Sequence, residues 1–228
     1  MKMTPEQLCG VTSDHLVELL FGQKVFLVHP AVQQDLLALK DGAAQAGFNL
    51  NIASGFRDFE RQKTIWNNKM AGISTLLDSH SQPLDSDTLS EQEKAMAILR
   101  WSALPGASRH HWGCDFDVFD RASLPQGVTL QLEPWEYLQG HQTQFYQWLK
   151  DNLTQYGFFF PYAKDLGGVA PEPWHISHQA TAKACLNQLT IEQLRFRLRL
   201  SPILGNQVVL DNLENIYTQF ITNISGES

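Results

Sequence analysis

Cysteine is scarce in this chain: three among 228 residues, Cys9, Cys114 and Cys185, far apart and odd in number. That excludes a disulfide framework and any CxxC zinc or redox site. Positive charge is short as well, with 17 Lys and Arg against 24 Asp and Glu for a net charge of −7. With no basic stripe to collect phosphates, neither nucleic acid nor a membrane surface is an expected partner. No apolar run approaches the ~20 residues of a membrane span. The opening residues, MKMTPEQLCG, hold one lysine and no apolar stretch ahead of a small-residue cleavage site. No export signal is read there, so a cytoplasmic location is expected, or a periplasmic one if a leader has been removed. Internal repeats and low-complexity tracts are missing too.

What the chain does have is apolar surface and histidine. At 43% hydrophobic and 18% charged it can bury a core, which excludes disorder as the main state. Pro30 opens a helical pattern of Val32, Leu36, Leu39 and Ala43 that Gly47 ends. Phe48, Leu50 and Ile52 alternate with Asn49 and Asn51, predicting a half-buried strand that runs into Ser54-Gly55-Phe56-Arg57. Asp58 caps a helix carrying Phe59, Ile65, Trp66 and Met70. Residues 72–90 are rich in turn formers and read as a long surface loop. Ser90 and Glu93 form a capping box for a helix to about Trp101.

Residues 113–120 (GCDFDVFD) alternate as a strand, followed by a loop to about Gly140. Phe145, Trp148, Leu149, Leu153 and Tyr156 mark a helix over 141–156, and 158–160 and 174–178 read as short strands. Beyond them lie a capping box at Thr190 and Gln193 and a stripe of Leu213, Ile216, Tyr217 and Phe220, read as core packing. The expected architecture is a single α+β domain over 1–228, a small and mainly antiparallel sheet packed by helices. Its core spans about 25–186, with a helical extension over 187–228 whose purpose the sequence does not disclose.

Chemistry concentrates in two segments, Ser108 to Asp117 (SRHHWGCDFD) and Glu172-Pro173-Trp174-His175. Two imidazoles and a carboxylate can hold a zinc ion while leaving a fourth position for water. A separate carboxylate can then take that water's proton, and Glu172, three residues before His175, can reach the same metal. Residues two apart in a strand share a face, so Asp115 and Asp117 both point to the side from which His110 approaches. One of them binds the metal and the other orients a ligand, and periodicity leaves open which. Cys114 faces the other way, as an inert buried thiol.

Gln62 falls on the inward face of its helix, where an amide needs a partner. Arg57, just ahead of that helix, is placed over an anion at the same point, either a peptide's terminal carboxylate or the oxyanion at a scissile carbonyl. Ser108 has no third group to complete a Ser-His-acid triad, so it is not read as a nucleophile. His111 and His178 flank the proposed ligands as packing groups or supporting contacts. His15, His29, His80 and His141 are read as structural or surface residues.

Three motifs resemble one family. Ser108, His110, Gly113 and Asp117 fit S-x-H-x-x-G-x-A-x-D; Glu172, Trp174 and His175 fit E-x-W-H; Ser54-Gly55-Phe56-Arg57 with Gln62 fits S-G-[YF]-R-x-x-x-x-Q. Together they resemble the VanY-type D-alanyl-D-alanine carboxypeptidases and dipeptidases, zinc peptidases sharing the fold of the hedgehog signalling domain. The resemblance implies His110, Asp117 and His175 as ligands of one zinc ion on the sheet and Glu172 as general base. It implies that Arg57 and Gln62 face the substrate, and Ser108 is counted with them as a substrate contact. Asp115 departs from the pattern, standing where the family has alanine.

The implied function is hydrolysis of D-Ala-D-Ala bonds in peptidoglycan stem peptides or precursors. A small peptide ending in D-Ala-D-Ala is thus the expected partner. Three alternatives remain on sequence grounds: an endopeptidase on the same zinc site, a non-catalytic zinc module, and a non-haem iron oxygenase. The last is disfavoured because no H-x-D or H-x-E occurs.

Overall fold

Apolar spacing and end signals decide where the elements of this chain begin and stop. The structure, a computed structural model, describes residues 2–226. In chain order it contains α1 (Pro5–Leu8), β1 (Val17–Phe21), β2 (Lys24–Val28), α2 (Gln33–Gln45), β3 (Leu50–Ser54) and α3 (Phe59–Met70). Next come β4 (Leu76–Leu77), β5 (Pro83–Leu84), α4 (Glu91–Trp101), β6 (Asp115–Asp120), α5 (Pro134–Leu138) and α6 (Thr143–Asn152). Last are β7 (Phe158–Phe159), β8 (His175–His178), α7 (Gln179–Leu186), α8 (Ile191–Leu200), α9 (Asn206–Asp211) and α10 (Leu213–Ile216).

The end signals act as the sequence predicts. Asp58 accepts the Arg61 amide at 2.7 Å to start α3, and capping boxes at Ser90–Glu93 and Thr190–Gln193 start α4 and α8. Chain reversal after α2 falls at Gly47, whose φ of 90° suits glycine. The core side of α2 forms as expected through Leu36, Leu39 and Ala43, and α4 buries Ala95, Ile98 and Leu99.

The central sheet is antiparallel throughout, in the order β3-β6-β8-β7. Its register sorts the side chains. Ile52 pairs with Val118 and Phe116 with Ile176, so these apolar residues share the core face. Asp117 pairs with His175, Asp115 with Ser177 and Asn51 with Phe119, so the polar groups share the opposite face. A bulge between Ile52 and Ser54 places Ser54, not Ala53, opposite Asp117. Simple alternation would have turned Ser54 to the core, and the extra residue re-aims it to the polar face. All six residues of β6 are buried because it lies between β3 and β8 with both faces covered.

Several stretches are richer than the sequence reading. Residues 17–28 form a hairpin with Leu20 and Val25 exposed, which blurs the alternation. The region read as a long loop over 72–90 carries the short β4–β5 ladder and a 3-10 turn at Ser86–Thr88. The loop read before Gly140 contains α5, with Pro134 in its first turn. The helix expected over 141–156 is divided into α6 and a 3-10 turn, Leu153–Tyr156. At the C-terminus Leu194, Leu198, Val209, Leu213, Ile216 and Phe220 join the same core cluster as the sheet. α10 runs into a π-helical turn at Tyr217–Ile221. Among the described residues, no helix is long and apolar enough to cross a membrane.

Trp66 ties α3 to this C-terminal region: it is fully buried and its indole N–H donates to the Leu204 carbonyl at 3.0 Å. Trp66→Ala is expected to lower the unfolding free energy by about 3–5 kcal/mol in a denaturant titration, through cavity formation and loss of this bond.

Candidate metal and catalytic site

The polar face of the sheet collects donors from three separate segments. Asp117 lies on β6 and His175 opens β8 directly opposite it. His110 arrives from the 3-10 turn Arg109–Trp112 just before β6. Gly113 makes this approach possible, since its φ is 67° and a Cβ there would lie 2.6 Å from the Leu16 side chain and 3.0 Å from the His29 amide. No other residue type meets both conditions. Ligand atoms of His110, Asp117 and His175 all lie within 4.8 Å of one another, and all three residues are buried.

The partner of each imidazole selects the nitrogen that faces the cluster. His110 Nδ1 lies 3.0 Å from the Gly55 carbonyl, which can only accept, so Nδ1 carries the proton and Nε2 points to Asp117 Oδ2 at 3.4 Å. His175 is held the other way round. Its Nε2 lies 3.1 Å from Asp115 Oδ1, leaving Nδ1 at 3.4 Å from Asp117 Oδ1 and 3.1 Å from Glu172 Oε2. Sequence periodicity left the roles of the two aspartates open, and the structure separates them. Asp117 faces the cluster, and Asp115 holds the far side of His175.

Asp115 is fully buried, and its charge is met by Arg109, whose Nε donates to Oδ1 at 2.7 Å while Nη2 donates to Ser177 Oγ at 2.6 Å. Burial alone would raise the Asp115 pKa, but the Arg109 guanidinium and His175 hold it far below the usual carboxylate range. Burial likewise opposes ionisation of Asp117, and His110, His175 and Arg57 outweigh it. Burial depresses His110. It would depress His175 too, yet hydrogen bonds to Asp115 and Glu172 raise that imidazole to about 9. Cys114 is buried against the core with its thiol pKa pushed up, mainly by burial.

A cavity of about 460 Å³ opens over these groups. His110, Asp117, Glu172 and His175 line it, with Arg57 and Ser108 beside them. Four buried polar atoms on residues lining it lack a hydrogen-bond partner: Asp117 Oδ1, Ser108 Oγ, Arg57 Nε and Arg109 Nη1. An unpartnered buried carboxylate oxygen 3.4 Å from an imidazole nitrogen, with a second imidazole at the other oxygen, fits a divalent cation, and two histidines with one carboxylate are a zinc donor set with a position to spare. Arg57 reaches the centre with Nη2 3.8 Å from Asp117 Oδ2, also donating to Ser54 Oγ at 3.1 Å and, through Nη1, to Gln62 Oε1 at 2.9 Å.

Gln62 departs from the expectation that it faces the substrate. It is fully buried, and its amide is used up by Arg57 and by the Ala103 carbonyl at 2.7 Å. Its role is to hold the guanidinium. His111 supports the same group from behind, with Nδ1 2.6 Å from the Arg57 carbonyl and Nε2 accepting from the Gly106 amide at 3.1 Å. His178 bridges Asp35 and Thr181 at the start of α7, away from the cluster.

Sequence reasoning missed several groups of the site. Arg109 had a readable signal, since an out-of-pattern Asp115 in a buried strand calls for a nearby cation. Tyr162 lines the cavity with its ring centroid 5.2 Å from that of His175, and no motif marks it. Arg61 and Lys69 also line the cavity from α3, at the spacing of one helix face.

A family profile described as VanY, D-alanyl-D-alanine carboxypeptidase, matches residues 26–181. The chain is 48% identical over 106 residues to an uncharacterised protein of Haemophilus influenzae, covering 46% of this chain and 72% of the relative. Among solved structures it is similar to VanYB in complex with D-alanine-D-alanine, with a TM-score of 0.51 and 25% identity, covering 78% of this chain and 86% of that one. It is similar to the LD-carboxypeptidase LdcB to the same degree, with a TM-score of 0.52 and 25% identity over 79% of this chain and 77% of that one.

Two outcomes follow from the electrostatics. Arg109→Met leaves Asp115 buried and poorly compensated, and is expected to cost about 3–5 kcal/mol in unfolding experiments, most of which the added change Asp115→Ala restores. Because His175 stays protonated up to about pH 9, zinc must displace a proton on binding. Apparent zinc affinity, followed by competition with a chelator, should therefore rise with pH by up to about tenfold per unit and level off near that value.

Proposed function

The chain belongs to the VanY D-alanyl-D-alanine carboxypeptidase family, and we propose that it is a zinc peptidase hydrolysing the terminal D-Ala-D-Ala bond of peptidoglycan stem peptides or their precursors. The observation that carries this reading is the convergence of His110 Nε2, Asp117 and His175 Nδ1 with Glu172 Oε2 only 3.1 Å from the His175 nitrogen. His110, Asp117 and His175 would hold the ion. Zinc bound there supplies polarisation of the scissile carbonyl and a lowered pKa for the attacking water.

The chain's own groups do the rest. Glu172 takes the proton as the water oxygen bonds to the carbonyl carbon, then delivers it to the amine nitrogen as the C–N bond breaks. Arg57, fixed by Ser54 and Gln62, places its charge against the oxyanion that develops. Ser108, buried with a free hydroxyl at the cavity wall, offers the peptide a hydrogen bond. Asp115 and Arg109 keep the His175 ring in the orientation that presents Nδ1.

Similarity to a structure holding D-alanine-D-alanine supports this substrate. Equal similarity to an LD-carboxypeptidase supports a second reading, cleavage of the L,D bond one residue further in. Glu172, lying where a base is needed, weighs against a zinc module that only binds.

Zinc-loaded protein should release D-alanine from a D-Ala-D-Ala peptide. A panel of free D-Ala-D-Ala, a stem pentapeptide, a stem tetrapeptide with an L,D bond and a cross-linked muropeptide separates dipeptidase, D,D-carboxypeptidase, L,D-carboxypeptidase and endopeptidase by product. Glu172→Ala should bind zinc as the wild type does and lose about 10²–10⁴-fold in kcat. Full activity in that variant would show the assigned mechanism to be wrong.

A further inference from the structure

Part of the cavity wall comes from outside the matched family segment. That match ends at residue 181, yet Phe220 and Ile221 line the cavity that holds His110, Glu172 and His175. Both lie on the π-helical turn Tyr217–Ile221, an uncommon geometry that recurs at functional sites.

The same turn grips the loop that leads to Glu172. Residues 161–170 form no helix or strand, so their backbone groups need outside partners. The C-terminal segment supplies them. Gln219 Nε2 donates to the Gly167 carbonyl at 2.6 Å, Asn223 Nδ2 to Leu166 at 2.9 Å, and the Ser225 amide to Pro161 at 2.8 Å. Contact is closest at Gly168, where a Cβ would lie 2.0 Å from the Gln219 carbonyl oxygen. The other side is held by Arg100 of α4, which donates to the Gly168 carbonyl at 2.5 Å and pairs with Asp165, while the Ala170 amide donates to the Arg100 carbonyl at 2.9 Å. Two residues beyond this clamp stands Glu172, its amide donating to the Tyr162 carbonyl at 3.0 Å.

We propose that the C-terminal segment 213–225 belongs to the catalytic apparatus, with Gln219 and Asn223 acting as positioning residues that fix Glu172 through the clamped loop. This inference rests on the reading of Glu172 as general base. Holding an irregular segment of that length in one conformation opposes the backbone entropy of each of its residues, so the loop depends on these bonds for its position. A base displaced by about 1 Å costs on the order of 10²-fold in rate. His110 and Asp117 sit on other elements, and His175, though close to Glu172 in sequence, is held by the β6–β8 ladder and by Asp115, so loss of the clamp displaces the base while the metal donors stay in place.

The test uses the full-length zinc enzyme with Gly168→Ala and, separately, the pair Gln219→Ala and Asn223→Ala. Gly168→Ala removes no hydrogen-bonding group and acts through the close contact with the Gln219 backbone and the approach of Asn223. The double variant trims two half-buried side chains without opening the core. Both are expected to lower kcat at least tenfold while KM and zinc affinity stay within twofold. Placed in the Glu172→Ala background, neither should lower the residual turnover further, because the group they position is gone. Retention of kcat within twofold overturns the proposal. So does an equal loss in the Glu172→Ala background, which would mark a general structural defect. An active wild type with unaffected clamp variants removes this inference alone, whereas a wild type inactive on every peptide removes the reading of Glu172 on which it rests.

Discussion

The antiparallel pairing of β6 with β8 is the constraint on which the site depends. Cross-strand partners share a face, so pairing Asp117 with His175 brings a carboxylate and an imidazole together before any loop is considered. The same ladder turns Phe116 and Ile176 to the opposite side, where they join the core. A slip of one residue would exchange these sets, burying the acids among leucines and exposing phenylalanine to the cavity. Burial of both faces of β6 gives the register a large free-energy penalty for error.

Crowding ionisable groups on one buried face has an electrostatic consequence. Asp115, Asp117 and Glu172 surround His175, and Arg109 and Arg57 pair with the two aspartates from the protein side. Asp115 and Arg109 form a buried ion pair, while Asp117 keeps an oxygen without a hydrogen-bond partner. The first arrangement meets the buried carboxylate's charge within the protein and serves orientation. The second leaves a carboxylate oxygen that a cation would satisfy, which is consistent with a metal site.

Local backbone features set how the remaining groups reach this ladder. Gly113 in the left-handed region lets the histidine turn meet β6, and the bulge in β3 swings Ser54 beneath Arg57. Gln62 and His111 are buried supports of the same arginine, one holding its guanidinium and the other its backbone. The cavity is thus lined by one layer of groups and braced by a second that never faces it.

Much of this was legible from residue patterns, because local signals govern local structure. Helix starts at Asp58, Ser90 and Thr190 are written in side chains that cap within four residues. The three motifs located the groups His110, Asp117, Glu172, His175 and Arg57 that the cavity brings together. Periodicity, which reports only the side of a strand, left Asp115 and Asp117 equivalent, and it gave Gln62 an inward face without saying that Arg57 would occupy it. Those roles were decided by contacts across many residues: the 60-residue separation between His175 and Asp115 and the 41-residue separation between Gln62 and the Ala103 carbonyl. The C-terminal residues 187–226 gave no functional signal at all, since their stripe reads as ordinary core. Their reach to the loop before Glu172 exists only in three dimensions, through hydrogen bonds from Gln219 and Asn223 to backbone carbonyls. A carbonyl is the same in every residue, so the sequence by itself determined the donors and the elements, and only the tertiary structure decided which backbone they would hold.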